Sequence, residues 1–423
     1  MATQQKQPER PLQRGEWRTL AVLGIPTFAL ALAITTVSTY LPVLASAFAA
    51  STTVIGVLIG GEGLMALVFP LLAGTWSDRL RTRAGGRLPF ILGATPALVL
   101  ALALLGFAGS LVSAALLLAV FFAAYYIAYE PYRALYPDLV DDEIEGRAQS
   151  SQAIFRGLGT LVALVGGGLL ISLAKPAPFV TAAAVTLLAI AAFLWRALRR
   201  GVPGQAPANE DAGVRAEIAR LARLIRGEGA LRAYFAANAL WELSLAALKT
   251  FVILYITRGL GFSTSDASLI VGAAAIVVLA AAPVSGKLGD RLGRALVMRI
   301  ALVAYGIGLL VPFLTTSTPV LVAAIPLVAF GGGVIMTLPY ALLIPLMPED
   351  ERGGLTGFYS ASRGVGIALG PLLAGVAISV ARSPLSGTQG YQAMWLVCAV
   401  AVLVSVPLLR PLREALTTLD DSA

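Results

Sequence analysis

The chain has 423 residues, of which 58% are hydrophobic and only 13% are charged, and its formal net charge is +8. Charged residues make up about a quarter of an ordinary soluble domain, so this composition excludes that class. With no histidine and a single cysteine, the sequence also excludes a serine–histidine hydrolase triad, a histidine–cysteine metal site and an internal disulfide framework. We therefore expect neither enzymatic activity nor a metal or other cofactor.

Apolar blocks of membrane-spanning length recur along the chain. Each has roughly 20 residues, the length an α-helix needs to cross about 30 Å of hydrocarbon, where the backbone must satisfy its own hydrogen bonds. We predict an all-α membrane protein with about twelve helices. They are placed over residues 20–45, 53–76, 88–108, 112–137, 149–173, 179–198, 230–257, 265–288, 295–315, 319–346, 354–380 and 391–409.

A polar stretch divides these segments into two sets of six. It contains Pro203-Gly204 and a segment over 214–226 whose apolar residues share one side, which predicts a connecting surface helix. We predict an N-terminal six-helix bundle over 1–198, a cytoplasmic central loop over 199–229 and a C-terminal six-helix bundle over 230–423.

Basic residues accumulate at both termini and in the even-numbered connections, whereas the odd-numbered connections hold only Lys175, Arg258 and Arg382. The positive-inside rule therefore predicts that both termini and the central loop are cytoplasmic. The same distribution explains the net positive charge by membrane topology. We therefore expect the lipid bilayer, and no nucleic acid, as a partner. A monomer in a bacterial or archaeal inner membrane is expected.

Three short motifs occur in the same order in both halves of the chain. A loop motif follows the second helix, a Pro-Tyr pair ends the fourth, and Arg-Gly-x-Gly lies in the fifth. The matching pairs begin at Gly74 and Gly286, at Pro131 and Pro339, and at Arg156 and Arg363. Such a duplication predicts two pseudo-symmetric bundles that rock about a central site, a recurring plan of secondary transporters.

The loop motif resembles the signature of the major facilitator superfamily. The copy from Gly286 to Arg294 matches G-x-x-x-D-R-x-G-R directly. The first-half copy reads S-D-R-x-x-x-R-x-G-x-R-x-P-F-I, and P-x-R-A-L-x-x-D-L follows around Arg133. Both are similar to the sucrose/proton symporter branch and its glycoside–pentoside–hexuronide:cation relatives. The resemblance implies a major facilitator fold whose gating residues are Gly74, Asp78, Arg79, Arg83, Arg87, Arg133, Gly286, Asp290, Arg291 and Arg294.

That resemblance also implies a role for the two aspartates. Asp78 would hold the start of the eleventh helix near Gly354, together with Arg133, when the cytoplasmic side is closed. Asp290 would hold the start of the fifth helix near Gln149. A carboxylate near a helix N-terminus gains about 0.3–1 kcal/mol from the exposed amides. The alternative is that both aspartates are charged caps that only fix topology.

Several charged residues fall inside the predicted helices, where each costs about 2.5–3.5 kcal/mol unless it is paired or faces water. They are Glu62, Glu130, Arg156, Glu242, Lys249 and Arg363. Glu130 and Arg156 are predicted at one depth, so we expect them to pair and Glu130 to carry a coupled proton. Glu62 and Glu242 are the alternatives for that role. The position matching Glu130 in the second half is a leucine, so Arg363 is predicted to pair with Glu242 instead.

Tyrosines at helical spacing mark one face of the fourth helix, at Tyr125, Tyr129 and Tyr132. A flat ring with one hydroxyl suits a sugar, although the same stripe fits packing between helices. Asn238, Trp241 and Gln392 are further candidates for substrate binding.

Taken with the resemblance, these features predict proton-coupled symport of a small solute, a sugar or glycoside, with sodium as the alternative coupling ion. Multidrug or metabolite efflux by proton antiport is the rival transport function. Drug antiporters of this superfamily carry a Gly-Pro motif in the fifth helix. In this chain the Gly370-Pro371 pair lies in the eleventh helix instead, which counts against the antiport function. A transport-inactive membrane receptor or scaffold is the rival from another class.

Overall fold

A computed structural model describes residues 14–48, 51–80, 82, 86–138, 145–200, 214–348 and 352–422. Within these ranges the chain is helical and has no β-strand, and twelve stretches are long and apolar enough to cross a membrane. The predicted all-α class with twelve spans is confirmed.

The first half contains six long helices. They are α1 (Arg14–Ala47), α2 (Thr52–Arg79), α3 (Leu88–Leu105), α4 (Leu111–Asp138), α5 (Glu145–Leu173) and α6 (Ala177–Arg200). The second half follows a short helix, α7 (Val214–Gly227). It contains α8 (Gly229–Leu254), α9 (Thr264–Leu292), α10 (Arg294–Leu314), α11 (Thr318–Leu343), α12 (Arg352–Ala381), α13 (Ala393–Ser405) and α14 (Leu409–Ser422).

Two helices extend further than hydropathy predicted. The helix α2 continues to Arg79 and α9 to Leu292, so both copies of the loop motif begin inside the last turns of a helix. Polar residues end the apolar block but do not break a helix, and α9 stops only at Gly293, whose φ is 89°. The last span, Ala393–Ala415, contains a 3₁₀ turn at Val406–Leu408 that separates α13 from α14, and it ends beyond the predicted residue 409.

Buried apolar side chains form two clusters, one built almost wholly from α1–α6 and the other almost wholly from α8–α14. The helix α7 lays Leu221, Leu224 and Ile225 against the second cluster. The predicted surface helix in the central connection is therefore confirmed. The bundle boundaries at 1–198, 199–229 and 230–423 stay a prediction.

The two halves meet along two long helix pairs, α2 with α12 and α5 with α9, and α1 also packs on α8. Glycines bring the first pair close: a Cβ added at Gly63 would meet the backbone of Gly364 and Ala368, and one added at Gly375 would meet the carbonyl of Thr52. Small residues at such an interface let backbones approach closely.

Polar contacts join the halves at the end where α1 finishes and α2 begins, here called the distal end. Among the described residues, three hydrogen bonds cross between the halves there. They are Tyr40 Oη with Ser268 Oγ at 3.0 Å, Arg258 Nη2 to Ser46 Oγ at 3.3 Å, and Thr52 Oγ1 to the Gly375 carbonyl at 2.8 Å. We call these six residues the distal seal.

Candidate functional site

Charged side chains from both halves face one another about midway along the helices. Glu62 lies about 15 Å along α2 from Thr52, at about 1.5 Å per residue. Lys249 lies about 15 Å from the distal end of α8 and its π-helical extension, which finishes at Gly259. The two residues are therefore level, and each is the other's strongest electrostatic neighbour. We call Glu62, Glu242, Lys249 and Arg363 the central charge cluster.

Glu242 and Arg363 form the direct ion pair of this cluster. Arg363 Nε donates to Glu242 Oε1 at 2.6 Å, so the predicted pairing is confirmed. Their side chains are 18% and 37% exposed, although both residues lie deep within their helices. The Arg363 guanidinium also lies over the ring of Tyr359, 5.8 Å from its centroid. Residues from the first half, including Glu62 and Glu130, are within electrostatic reach of Arg363, which therefore faces the gap between the halves.

Glu62 and Lys249 differ from that pair. Glu62 is only 8% exposed, and its carboxylate accepts one long hydrogen bond, 3.4 Å, from Ser38 Oγ. Among the described side chains, neither Glu62 nor Lys249 takes part in an ion pair. A buried carboxylate of the first half and a partly buried ammonium of the second half thus lie within electrostatic reach of each other without forming an ion pair.

The predicted Glu130–Arg156 pair is wrong. Arg156 Nη2 instead donates to the Tyr129 hydroxyl at 2.9 Å, and Glu130 forms no ion pair with any side chain in the described part of the chain. Successive residues of a helix point about 100° apart, so a helix face that offers Tyr129 to Arg156 turns Glu130 away. Glu130 still lies within electrostatic reach of Arg133, Arg156 and Arg363.

The tyrosines of α4 divide into two groups. Tyr125 stacks on Tyr129, with ring centroids 5.3 Å apart, and meets Tyr126 edge-on at 5.2 Å. Tyr132 instead points into the first half, where its hydroxyl donates to the Leu23 carbonyl and shares a 2.8 Å hydrogen bond with Thr27. The helix-packing alternative therefore holds for Tyr132.

Three further candidates make structural contacts. Trp241 is fully buried and its indole donates to Ser405 Oγ at 2.8 Å, while Asn238 donates to Ser362 Oγ at 2.7 Å. Gln392 lies near the distal end and donates to the carbonyls of Pro312 and Phe313, both at 3.2 Å. It lines a cavity of about 360 Å³ formed by loops of the second half, well away from the central charge cluster. All three side chains thus contact other groups of the second half, and their role in substrate binding stays a prediction.

The gating residues are only partly described. Arg83 and the side chains of Asp78, Arg79, Asp290 and Gln149 lie outside the described residues, and so do the contacts of Gly354. The prediction that Asp78 and Asp290 hold the starts of the eleventh and fifth helices therefore stays a prediction. The remaining members are placed at the same end of the bundle: Gly74 within α2, Arg87 and Arg133 partly buried, and Gly286 and Arg291 in the last turns of α9. Arg294 donates to the Ala341 carbonyl at 3.1 Å.

Sequence reasoning missed two aromatic members of the site. Tyr126 is within electrostatic reach of Glu62 and Arg363, although it lies off the tyrosine stripe. Tyr359 precedes Arg363 by one helical turn and so shares its face, a spacing that could have identified it.

Comparisons with known proteins agree with this architecture. The sequence profile described as the Major Facilitator Superfamily matches residues 23–257 and 235–422. Multidrug resistance protein 3 of Bacillus subtilis is 28% identical over 101 residues, which cover 24% of this chain and 20% of that protein. A triacylglyceride transporter of Mycolicibacterium hassiacum is 28% identical over 135 residues, covering 30% of this chain and 25% of the relative. The chain thus matches about a quarter or less of the length of these curated relatives.

Two solved structures resemble the whole chain. A bacterial homologue of the human lysosomal transporter Spinster, in an inward-facing and unoccupied conformation, superimposes with a TM-score of 0.78 at 15% identity, covering 96% of this chain and 99% of that one. The nucleoside transporter NupG gives a TM-score of 0.73 at 16% identity, covering 94% and 99%. At these identities the likeness establishes the fold alone.

Proposed function

Because the chain belongs to the Major Facilitator Superfamily, we propose that this multi-pass membrane transporter couples a proton gradient to movement of a small polar solute, with sugars and glycosides as the first class to test. The observation that carries the proposal is the central charge cluster, in which the Glu62 carboxylate of the first half lies within electrostatic reach of one carboxylate and two cations of the second half. A charge placed deep in a membrane protein is costly and is typical of a substrate or ion pathway. Membership of the family supports transport, and the cluster supports proton coupling.

Alternating access would require the distal end to open and close. The distal seal joins the halves by three hydrogen bonds, and such bonds contribute only about 0.5–1.5 kcal/mol each in net terms. They are weak enough to be exchanged for contacts at the opposite end. We place that opposite end, with both termini, in the cytoplasm of a bacterial or archaeal cell, and we expect a monomer in the inner membrane.

Efflux of a drug or metabolite by proton antiport is the second candidate function. It is favoured by the similarity of about a quarter of the chain to Multidrug resistance protein 3. The two functions differ in the direction in which a proton gradient drives the solute.

A transport assay with the purified protein in proteoliposomes distinguishes these two functions. With an inside-alkaline pH gradient, we expect accumulation of radiolabelled sucrose or methyl β-D-glucoside above the equilibrium level, abolished by a protonophore. Accumulation driven by a sodium gradient alone would show that sodium, and not the proton, is the coupling ion. Proton-driven extrusion of a cationic dye without sugar uptake would establish the second candidate, and no movement of any of these solutes would contradict the proposed function.

A further inference from the structure

The central charge cluster is only half satisfied by its own members. Glu242 and Arg363 neutralise each other at 2.6 Å. The other two members, Glu62 and Lys249, come from opposite halves and are each other's strongest electrostatic neighbours, yet they form no ion pair among the described side chains. An ionised group away from water needs a partner, so this arrangement is suited to a ligand that supplies one.

We propose that Lys249 binds an anionic group of the solute, a carboxylate in the simplest case, and that Glu62 takes up a proton when this group occupies the ammonium. The inference rests on the proposed transport function and adds to it the charge class of the solute and the residue that carries the proton.

Charge balance gives the reason. With all members ionised, the two carboxylates and two cations of the cluster sum to zero. An incoming solute carboxylate pairs with Lys249 and adds one negative charge, and Glu62 then loses its main electrostatic partner. One proton from water, bound to the Glu62 carboxylate, restores the sum to zero. Solute and proton would therefore cross together, and neither alone would leave the cluster neutral.

The groups around Glu62 are compatible with this exchange. The side chains that act on it from neighbouring helices are Ser38 of α1, Tyr125 and Tyr126 of α4, Glu242 and Lys249 of α8, and Arg363 of α12. Of the two cations, Arg363 is already held by Glu242, and so Lys249 is the one whose partner can change. The hydroxyls of Tyr125 and Tyr126 lie near enough to act on Glu62 and could donate to polar atoms of the same solute.

A matched pair of solutes tests the charge class. Methyl β-D-glucuronide and methyl β-D-glucoside share a ring and differ in a carboxylate, and their binding to the purified protein is measured by titration calorimetry. We expect the glucuronide to bind at least about tenfold more tightly, a difference worth about 1.4 kcal/mol. Lys249→Gln should abolish the preference and Lys249→Arg should retain most of it. Lys175→Gln, an exposed lysine of the α5–α6 connection, is the control and should bind as the unmodified protein does.

Titration in two buffers of different ionisation enthalpy tests the proton. We expect uptake of about one proton per glucuronide bound, and none in Glu62→Gln, which should still bind the anion. If Lys249→Gln does not fold, the double variant Glu62→Gln/Lys249→Gln keeps the cluster neutral and should likewise lack the preference. Thermal unfolding establishes which variants are folded.

The possible results separate this inference from the proposed function. Equal binding of the two solutes, binding of neither, or a preference that survives Lys249→Gln would overturn the inference. If proton-driven uptake of the neutral glucoside persisted alongside such a result, the transport proposal would stand without it. Selective binding of the glucuronide with proton uptake, but without any movement across the membrane, would support the site and contradict the transport proposal.

Discussion

Arg363 Nε lies 2.6 Å from Glu242 Oε1, and this bond ties α12 to α8 within the second half. The same α12 packs against α2 of the first half, through glycines that bring the two backbones close. The ion pair therefore fixes which face α12 presents to the other half, and it links the orientation of the interface to the charge state of the central cluster.

Replacing one partner of that pair should lower the free energy of unfolding more than replacing both. Glu242→Gln leaves the Arg363 guanidinium without its anion, and we expect the free energy of unfolding to fall by about 1–3 kcal/mol, since hydrogen bonds to charged groups lie in that range. The double variant Glu242→Gln/Arg363→Gln should recover part of the loss. Thermal unfolding of the purified variants in detergent measures the coupling, and strictly additive losses would show that the pair contributes nothing to stability.

The roles of Glu62 and Glu130 in proton coupling can be distinguished by substitution. We expect Glu62→Gln to lose uphill accumulation driven by a pH gradient and to keep solute exchange at equilibrium, because a neutral amide cannot release a proton. Glu130→Gln should retain accumulation to within a few fold, since Glu130 interacts with several arginines rather than with one exchangeable lysine. The reverse result, with accumulation lost only in Glu130→Gln, would restore the role that the sequence alone predicted for Glu130.

Hydropathy and repeat matching predicted much of this molecule, and the failures have definite causes. The segments of about 20 apolar residues located the twelve spans, because a helix of that length crosses the hydrocarbon and satisfies all of its own backbone hydrogen bonds. The internal repeat predicted the Glu242–Arg363 pair, because the second half lacks a counterpart of Glu130. Depth along a helix, however, fixes the level of a side chain and not its direction. Arg156 therefore meets Tyr129 rather than the residue that follows it.

The tyrosine stripe of α4 predicted the site only in part, for a related reason. Regular spacing shows that Tyr125, Tyr129 and Tyr132 share a face, but only tertiary packing decides which neighbour covers each part of it. The helix α1 covers Tyr132, whereas Tyr126, which lies off the stripe, is near the central charge cluster. Residues that carry the site thus come from several helices, and their convergence is not encoded in any single segment.

Substitution of Trp241 tests whether this buried side chain of α8 stabilises the fold or binds the solute. Trp241→Phe removes the hydrogen bond to Ser405 and part of a fully buried ring, and we expect a loss of about 1–3 kcal/mol in the free energy of unfolding. Ser405 keeps its own bond to the Val402 carbonyl, so no donor is left unsatisfied there.

The apparent KM for the transported solute should stay unchanged in Trp241→Phe. Trp195→Phe is the matched control, because Trp195 is 58% exposed and should change neither stability nor transport. A several-fold rise in KM without loss of stability would return Trp241 to the substrate site.

Gly375 allows a test of closure at the distal end. A side chain there would meet the Thr52 carbonyl of α2, so Gly375→Val should force α2 and α12 apart and favour conformations in which the distal seal is open. Overpacking of this kind costs about 1–3 kcal/mol, which corresponds to a roughly tenfold shift in the balance between closed and open states. Labelling of a cysteine placed at the buried Ser268 should accelerate by about that factor, measured with a maleimide that does not cross membranes.

The background for this measurement is low, because the native Cys398 is fully buried. Gly166→Val provides the comparison: nothing lies within 4 Å of a Cβ at that glycine of α5, so labelling at position 268 should keep its original rate. Equal rates in Gly375→Val and in the parent cysteine variant would mean that the close approach of α2 and α12 does not control access at the distal end, and alternating access would then have to open by a route other than separation of these two helices.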